Sequence, residues 1–517
     1  MKKALFLLSC LSIGLANAQV TTYLISQKKT KTNEPSISMD PKNEMFVLAG
    51  TNVDNVFTSD NSGLKWDENK LSSKFGVYGD PVVHIASDTQ YYFCHLSKTP
   101  EKKHPEMFDR IVFQTSKDRG ETWNNGDTIG FNDNKMQDKP WIGVDDKKKS
   151  KYKGRIYVSW TEFDKYKSKN KSDKSRIRIV HSQDTMEGFT SAITVSDTTG
   201  DCLDGDNTLE GATTAVGKNG EIYVVWAGHN FIYFDKSIDG GDTFGKDKII
   251  AKQLSGWNQD IPEVYRTNSM PFIQTNSKGH IFVVYGDTVH GDHDIFLITS
   301  RDGGETWTPP TRVNNDEVGN GRDQYMPNMT IDPSDDKVYI VYYDRRNSSS
   351  NLFVNVSLAS TSDGKKFTHT RITQRSFPPA GSDKKAFFGD YIDVAASNGE
   401  IRPIFTDTEE GYITCKVGLL NNVIIKKGEY LPMAQYITYY QKAKDKKLFL
   451  HYYIHKAKKI EIEMKYRGTN VFVNDLKGNF TKGEYEQEID ISKLQRGWHD
   501  LTIKLDGNIL SRKVMIF

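Results

Sequence analysis

Short stretches of alternating apolar and polar residues recur along this chain, each followed after a turn by a run of β-branched and aromatic residues. The second members read Met45-Phe46-Val47-Leu48, Tyr91-Tyr92-Phe93-Cys94, Ile156-Tyr157-Val158-Ser159-Trp160 and Ile222-Tyr223-Val224-Val225-Trp226, then Ile281-Phe282-Val283-Val284-Tyr285, Val338-Tyr339-Ile340-Val341-Tyr342 and Ile401-Arg402-Pro403-Ile404-Phe405. Their first members begin near Pro35, Pro81, Pro140, Gly211, Pro271, Pro327 and Tyr391. Runs this short and this rich in Val, Ile, Tyr and Phe predict strands, and Lys218-Asn219-Gly220 and Ser397-Asn398-Gly399 supply tight hairpin turns. Seven such pairs predict an all-β chain built from repeats.

After most pairs a third run ends in one particular turn. It is complete in Ser116-Lys117-Asp118-Arg119-Gly120-Glu121-Thr122-Trp123 and in Ser300-Arg301-Asp302-Gly303-Gly304-Glu305-Thr306-Trp307, and Ser237 to Phe244 repeats it with Phe for Trp. Looser copies run from Ser59 to Trp66, with Asn61 at the Asp position, and from Ser360 to Phe367, with Ser362 there; a degenerate copy starts at Ser182. In such a turn Asp accepts backbone N–H bonds, Gly tolerates positive φ, and the aromatic pins the loop to its sheet. The pattern resembles the Asp box, or BNR repeat, of the sialidase superfamily over roughly residues 30–420. That resemblance implies a β-propeller of four-stranded blades, with the boxes as structural turns rather than catalytic groups. Radial repetition hides most sheet edges. Seven pairs predict seven blades; six is the alternative, because sialidases have six and the last pair lacks a box. Thr22-Tyr23-Leu24-Ile25 is a candidate outer strand to close the ring.

The two ends read differently. Lys2-Lys3, an apolar run from Ala4 to Leu15 and Ala16-Asn17-Ala18 before Gln19 have the layout of a cleavable secretory signal over residues 1–18. Residues 19–429 then form the propeller, and residues 430–517, which include the alternating strand Ile460-Glu461-Ile462-Glu463-Met464-Lys465-Tyr466, form a small C-terminal β domain of sandwich type. Its Val473-Asn474-Asp475-Leu476-Lys477-Gly478, Ile489-Asp490-Ile491-Ser492-Lys493-Leu494 and Ser511-to-Phe517 segments resemble the type A sorting domain of type IX secretion cargo, although the usual Asn-Pro opening is missing. The resemblance implies a partner in the export machinery and a secreted or cell-surface location. Beyond the signal, no stretch approaches the length of a transmembrane segment. Cys94, Cys202 and Cys415 are too widely spaced for a disulfide framework, and a formal net charge of +2 offers nothing to attract nucleic acid.

Candidate chemistry gathers on one face. If the recurring turns define one end of the ring, first-strand starts and second-strand ends open at the other, and acidic residues collect there: Glu34, Asp80, Asp138, Glu210 and Asp390, then Glu162, Asp287, Asp344 and Asp407. Such a mouth can bind a hydroxyl-rich glycan or a peptide, hold Ca²⁺, or pair acids for glycoside hydrolysis; solvation of strand ends is the plainer account. Tyr342-Tyr343-Asp344-Arg345-Arg346 and Gly389-Asp390-Tyr391 add arginines able to clamp a carboxylate or to pair with Asp344. The sialidase pattern requires a first-blade arginine, yet Asn33-Glu34-Pro35 places an acid there. Tyr343 or Tyr391 with Glu210 would be the Tyr–Glu pair of such an enzyme. His290, Asp292 and His293 form a weak metal-like cluster, Asp201 to Asp206 another, and Lys165 to Lys174 reads as a solvated loop.

The sequence therefore predicts a propeller binding glycan or peptide at its acidic face. The rivals are an exo-acting glycoside hydrolase of sialidase-like type and a structural adhesion module. No catalytic residue is assigned, no cofactor is firmly predicted, and Ca²⁺ is the cation the mouth could take. Asp344, Asp390 and Asp407 are expected to share one cation or ligand, and Asp390→Asn is expected to weaken binding while leaving the ring folded.

Overall fold

Each predicted pair grows into a four-stranded antiparallel sheet in which the chain steps outward strand by strand. Six such sheets follow one another over residues 36–70, 82–129, 136–194, 210–252, 272–312 and 324–371. A seventh uses Asp393–Ser397, Glu400–Asp407 and Thr414–Asn421, and takes its fourth strand, Thr21–Leu24, from the other end of the chain, with Thr21 opposite Leu419. The computed structural model describes residues 20–26, 32–87, 90–99, 108–182, 188–257, 259–379, 387–421, 435–506 and 508–517. The expected signal over residues 1–18 and the boundary at 429/430 lie outside them.

Innermost strands stand side by side around a ring, and the seventh, Asp393–Ser397, packs against the first, Ser36–Met39. The architecture is an all-β propeller. Bonds between sheets stitch these strands together: Asp393 accepts from Ser36 Oγ at 3.1 Å and from the Ile37 amide at 2.9 Å, and Thr213 Oγ1 donates to the Pro271 carbonyl at 3.0 Å. Inner and middle strands are covered on both faces, which is why their sequences run apolar without a clean alternation. Phe57, Phe93 and Phe234 are fully buried, each contributing roughly 1.5–3 kcal/mol of transfer free energy. Cys94 joins them as a buried thiol.

The recurring turn is an outer-end hydrogen-bond cage. Ser116 Oγ donates to Asp118 and accepts from the Gly120 amide at 2.8 Å, Asp118 accepts from the Thr122 amide at 2.9 Å, and Trp123 Nε1 donates to the Gly120 carbonyl at 3.2 Å. Ser237 with Asp239 and Ser300 with Asp302 repeat the Ser–Asp–Gly–Thr bonds. In the fifth copy the acting residues are Thr361 and Asp363, one place later than the expected Ser360 and Ser362: the Gly364 amide bonds Thr361 Oγ1 and the Lys366 amide bonds Asp363. A threonine hydroxyl serves as well as a serine one, and the loop is one residue shorter. The copy beginning at Ser182 lies largely outside the described residues.

After the ring, Tyr436–Lys442, Lys447–Ile454 and Gly483–Asp490 form a three-stranded sheet that faces a four-stranded one built from Ala457–Tyr466, Thr469–Phe480, Gly497–Leu505 and Asn508–Ile516. Leu448, Leu450, Ile460, Ile462, Leu501 and Ile503 fill the space between. A polar seam ties this sandwich to the ring. Glu484 pairs with Arg371 at 2.7 Å, Glu486 accepts from Ser348 Oγ at 2.6 Å, and the fully buried His451 lies between the two carboxylates, which hold its pKa above the usual value against the effect of burial. No helix among the described residues is long and apolar enough to cross a membrane.

Candidate functional site

Four residues directly before a proline, two just ahead of an innermost strand and two at a register shift within one, lie in the left-handed region: Glu34, Asp80, Lys139 and Met326 have φ of 49°, 50°, 49° and 49°. For a residue with a side chain this is uncommon, and each instance costs on the order of 1–3 kcal/mol that the surrounding packing must offset. Glu34, Asp80 and Lys139 share a common space with Asp390, which lies just ahead of the seventh sheet, at the end of the channel opposite the recurring turns. Asp138 and Glu210 reach it from strands irregular at that point, with register shifts at Asp138/Trp141 and Glu210/Thr213.

An ion triad lies at the centre. Asp390 receives Lys139 Nζ at 2.6 Å, Arg266 Nε at 3.1 Å and a second Arg266 nitrogen, while Asn268 Nδ2 adds a 3.3 Å contact. Burial would push the Asp390 carboxyl up, but the two cations override it and hold it below the usual range. Arg266 also reaches Asp204 at 3.4 Å, which accepts from Trp257 Nε1 at 3.0 Å and the Tyr166 hydroxyl at 2.6 Å. The loop read as solvated therefore has an inward anchor in Tyr166.

Around the triad the acids outnumber the bases, with Glu34, Asp80, Asp138, Asp204, Glu210 and Asp390 set against Lys139 and Arg266. Buried charge in excess is relieved by protonation. Burial, then repulsion from Glu34, pushes Asp80 up to about 8, and burial followed by Asp80 and its other acidic neighbours takes Asp138 to about 7 even with Lys139 beside it. Glu34 is raised by burial and by Asp390; its oxygens accept from Asn52 Nδ2 and, at 3.0 Å, from the Asp390 amide. Burial, then the charge of Asp204, pushes the Glu210 carboxyl well above its usual value, and a side-chain hydrogen bond with Asp204 acts in the same direction. A cavity of about 10 Å³ beside it, lined by Thr208, Asn230, Gln253 and Trp257, has room for about one water. Asp80 and Asp138 thus change charge close to neutral pH, the condition for proton donation and acceptance.

Of the residues singled out in the sequence, the structure brings together Glu34, Asp80, Asp138, Glu210, Asp390 and, packed edge-on against Trp141, Tyr391. The Tyr391 hydroxyl donates to the Pro81 carbonyl at 3.3 Å, and the Tyr343 hydroxyl is enclosed between the amide and carbonyl of Thr406, so both phenols are bound to backbone. Asp344 binds Arg346 Nε and Ser357 Oγ, both at 2.6 Å. Arg345, fully buried, donates to the carbonyls of Asn351 at 2.6 Å and Pro262 at 3.0 Å, and Asp407 pairs with Lys416 at 3.3 Å. Asp344, Asp390 and Asp407 therefore have separate cationic side-chain partners. His290 turns to Asp294 at 2.8 Å, His293 to Asp323 at 3.1 Å and Asp292 to the Gly321 amide at 2.8 Å. Among the described residues no group of three or more His, Cys, Asp or Glu side chains is arranged to hold a metal ion.

Sequence reasoning missed Lys139, Arg266 and Trp257. Lys139-Pro140 could have been found, because it occupies the place of Glu34-Pro35 and Asp80-Pro81 in the repeat. Arg266 lies on the connection between the fourth and fifth sheets, outside the repeated strand and turn pattern.

No family model matches the chain, and no curated protein matches it. Among solved structures it is similar to an ulvan lyase of polysaccharide lyase family PL25 bound to a GlcA–Rha3S ligand, at 10% identity over 80% of this chain and 100% of that one with a TM-score of 0.45. It is also similar to the NanB sialidase from Streptococcus pneumoniae, at 12% identity, 74% and 83% coverage and a TM-score of 0.43, and to YCF48 bound to D1 peptide, at 11% identity, 79% and 97% coverage and a TM-score of 0.42.

Proposed function

We propose that this chain is a secreted or cell-surface, sialidase-like propeller that binds a glycan at the acidic end of its channel, with residues 1–18 as the export signal and the sandwich from about residue 430 as the address read by the export machinery. One observation carries the binding reading: Glu34, Asp80, Asp138, Glu210 and Asp390 converge on Lys139 and Arg266. Protonated carboxyls donate hydrogen bonds and the ionised Asp390 accepts them, the mixture that sugar hydroxyls require. Asp138 and Glu210 are buried, so a ligand reaches them only after neighbouring groups shift. Asp80→Asn keeps size and, at neutral pH, charge, so it tests the site without disturbing the fold. Calorimetric titration with neutral, amino and acidic oligosaccharides is expected to show binding that Asp80→Asn weakens at least tenfold. Binding unaffected by Asp80→Asn and by Asp138→Asn would remove the acidic end from the reading, and capture of peptides alone would replace the glycan by a peptide.

A second reading, an exo-acting glycoside hydrolase, is favoured specifically by Asp80 and Asp138 titrating near neutrality. Chromogenic glycosides, sialosides included, test it: turnover with a pH profile that Asp138→Asn flattens supports it, and absence of turnover across the set refutes it. The export reading has its own measurement. A chain truncated before residue 430 is expected to accumulate, folded, in the periplasm, and normal delivery to the surface would overturn it.

A further inference from the structure

The outer rim of the ring is uneven. The fifth sheet ends in a two-residue strand, Thr311–Arg312, whereas the sixth ends in Thr368–Arg371, and beside that longer strand lies a cleft of about 320 Å³. This is at the low end of the sizes that hold small molecules. Its lining combines the rings of Phe367 and His369, whose centroids are 6.4 Å apart, with the Asn315 amide, the Ser357 and Thr370 hydroxyls and the Arg346 guanidinium.

We infer that this cleft is a second carbohydrate site, separate from the acidic end of the channel, and that it takes a neutral sugar. Charge decides the class. Arg346 is matched by Asp344 at 2.6 Å, and Arg371, which lines the floor, by Glu484 at 2.7 Å, so no uncompensated cation remains to hold a carboxylate, sulfate or phosphate. Burial, then Arg346, takes His369 down to about 4, leaving a neutral imidazole at physiological pH. Half-buried aromatic faces beside hydroxyl, amide and imidazole groups offer an apolar surface to a pyranose ring and hydrogen bonds to its edge.

The probes are maltohexaose, cellohexaose, xylohexaose and mannohexaose, titrated calorimetrically into the full-length mature chain. At least one is expected to bind the parent, with affinity lowered tenfold or more by His369→Trp, which fills the cleft, and by Asn315→Trp, placed on an exposed connection where folding tolerates it. Asp80→Asn is expected to leave that affinity unchanged. No binding of any of the four overturns the inference. So does binding that survives both tryptophan variants, and if Asp80→Asn abolishes that same binding, the sugar sits at the channel instead. Thermal melts of each variant confirm that the comparison is between folded proteins.

Discussion

Asp80 and Asp302 are the same side chain at opposite ends of one ring, and the fold treats them oppositely. Asp302 sits in an exposed turn, accepts from the Thr306 side chain and amide and from Ser300, and is held below the usual carboxylate range by those bonds. Asp80 is buried beside Glu34 and is pushed up to about 8. At one end hydrogen bonds to the charged form keep the carboxylate ionised and local; at the other, burial among like charges makes protonation the cheaper state. An aspartate in a repeat motif is therefore a structural part at the wet end and a proton-carrying group at the closed end.

The largest expected effect falls on the closed end. Asp390→Asn removes the nearest carboxylate from both Lys139 and Arg266, leaving them Asp138 at 4.0 Å and Asp204 at 3.4 Å, and breaking a buried ion pair typically costs about 3–5 kcal/mol. To the expectation that this variant leaves the ring folded, the ion triad adds a cost in stability that the sequence alone did not indicate. Denaturant unfolding of the variant measures the loss, and a change below about 1 kcal/mol would mean that the triad contributes little to stability.

Next in size is a pH dependence. Between about pH 4 and pH 8 the unfolded chain surrenders the Asp80 proton while the folded chain retains it, and Asp138 acts in the same direction up to about pH 7. Stability conferred by these groups is complete below pH 4 and is lost as the pH rises through their folded values. Melting temperature is expected to fall from pH 5 to pH 8.5, with a shallower slope in Asp80→Asn; identical slopes would deny the buried proton. The turn end reverses the sign: Asp239, held to about 2, adds stability above about pH 4 that disappears only as the pH drops toward 2.

Smaller effects distinguish parts of the turn itself. Ser300→Ala leaves the buried Gly304 amide without its acceptor and is expected to cost about 1–2 kcal/mol in a denaturant melt. Asp302→Asn keeps one acceptor oxygen and is expected to lower the melting temperature less than Ser300→Ala, with no effect on oligosaccharide binding at either site. The opposite ranking would make the carboxylate, not the hydroxyl, the main support of the turn.

Most of the ring was legible because its signals are local. The pairs of runs mark inner and middle strands, Asn398-Gly399 forms its hairpin with both residues at positive φ, and the turn pattern needs only eight neighbouring residues. Thr21–Leu24 was readable as a spare strand. The acids near first-strand starts were also visible, since position within a repeat predicts which end of the ring a residue occupies.

Which of those acids meet is another matter. Lys139 and Asp390 touch although 251 residues separate them, and Arg266 arrives from a connection with no periodic signal. Asp344 and Asp407 occupy places in their sheets as promising as that of Asp390, yet the side chains nearest them are Arg346 and Lys416. The sequence by itself determined the strand order, the turns and the end of the ring to which the carboxylates belong, because strand period and turn chemistry act over a few residues. Only the tertiary structure decided which carboxylates are buried together, which cations they receive and which keep their protons, because desolvation and Coulomb forces depend on distances in space that close only when the last sheet packs against the first.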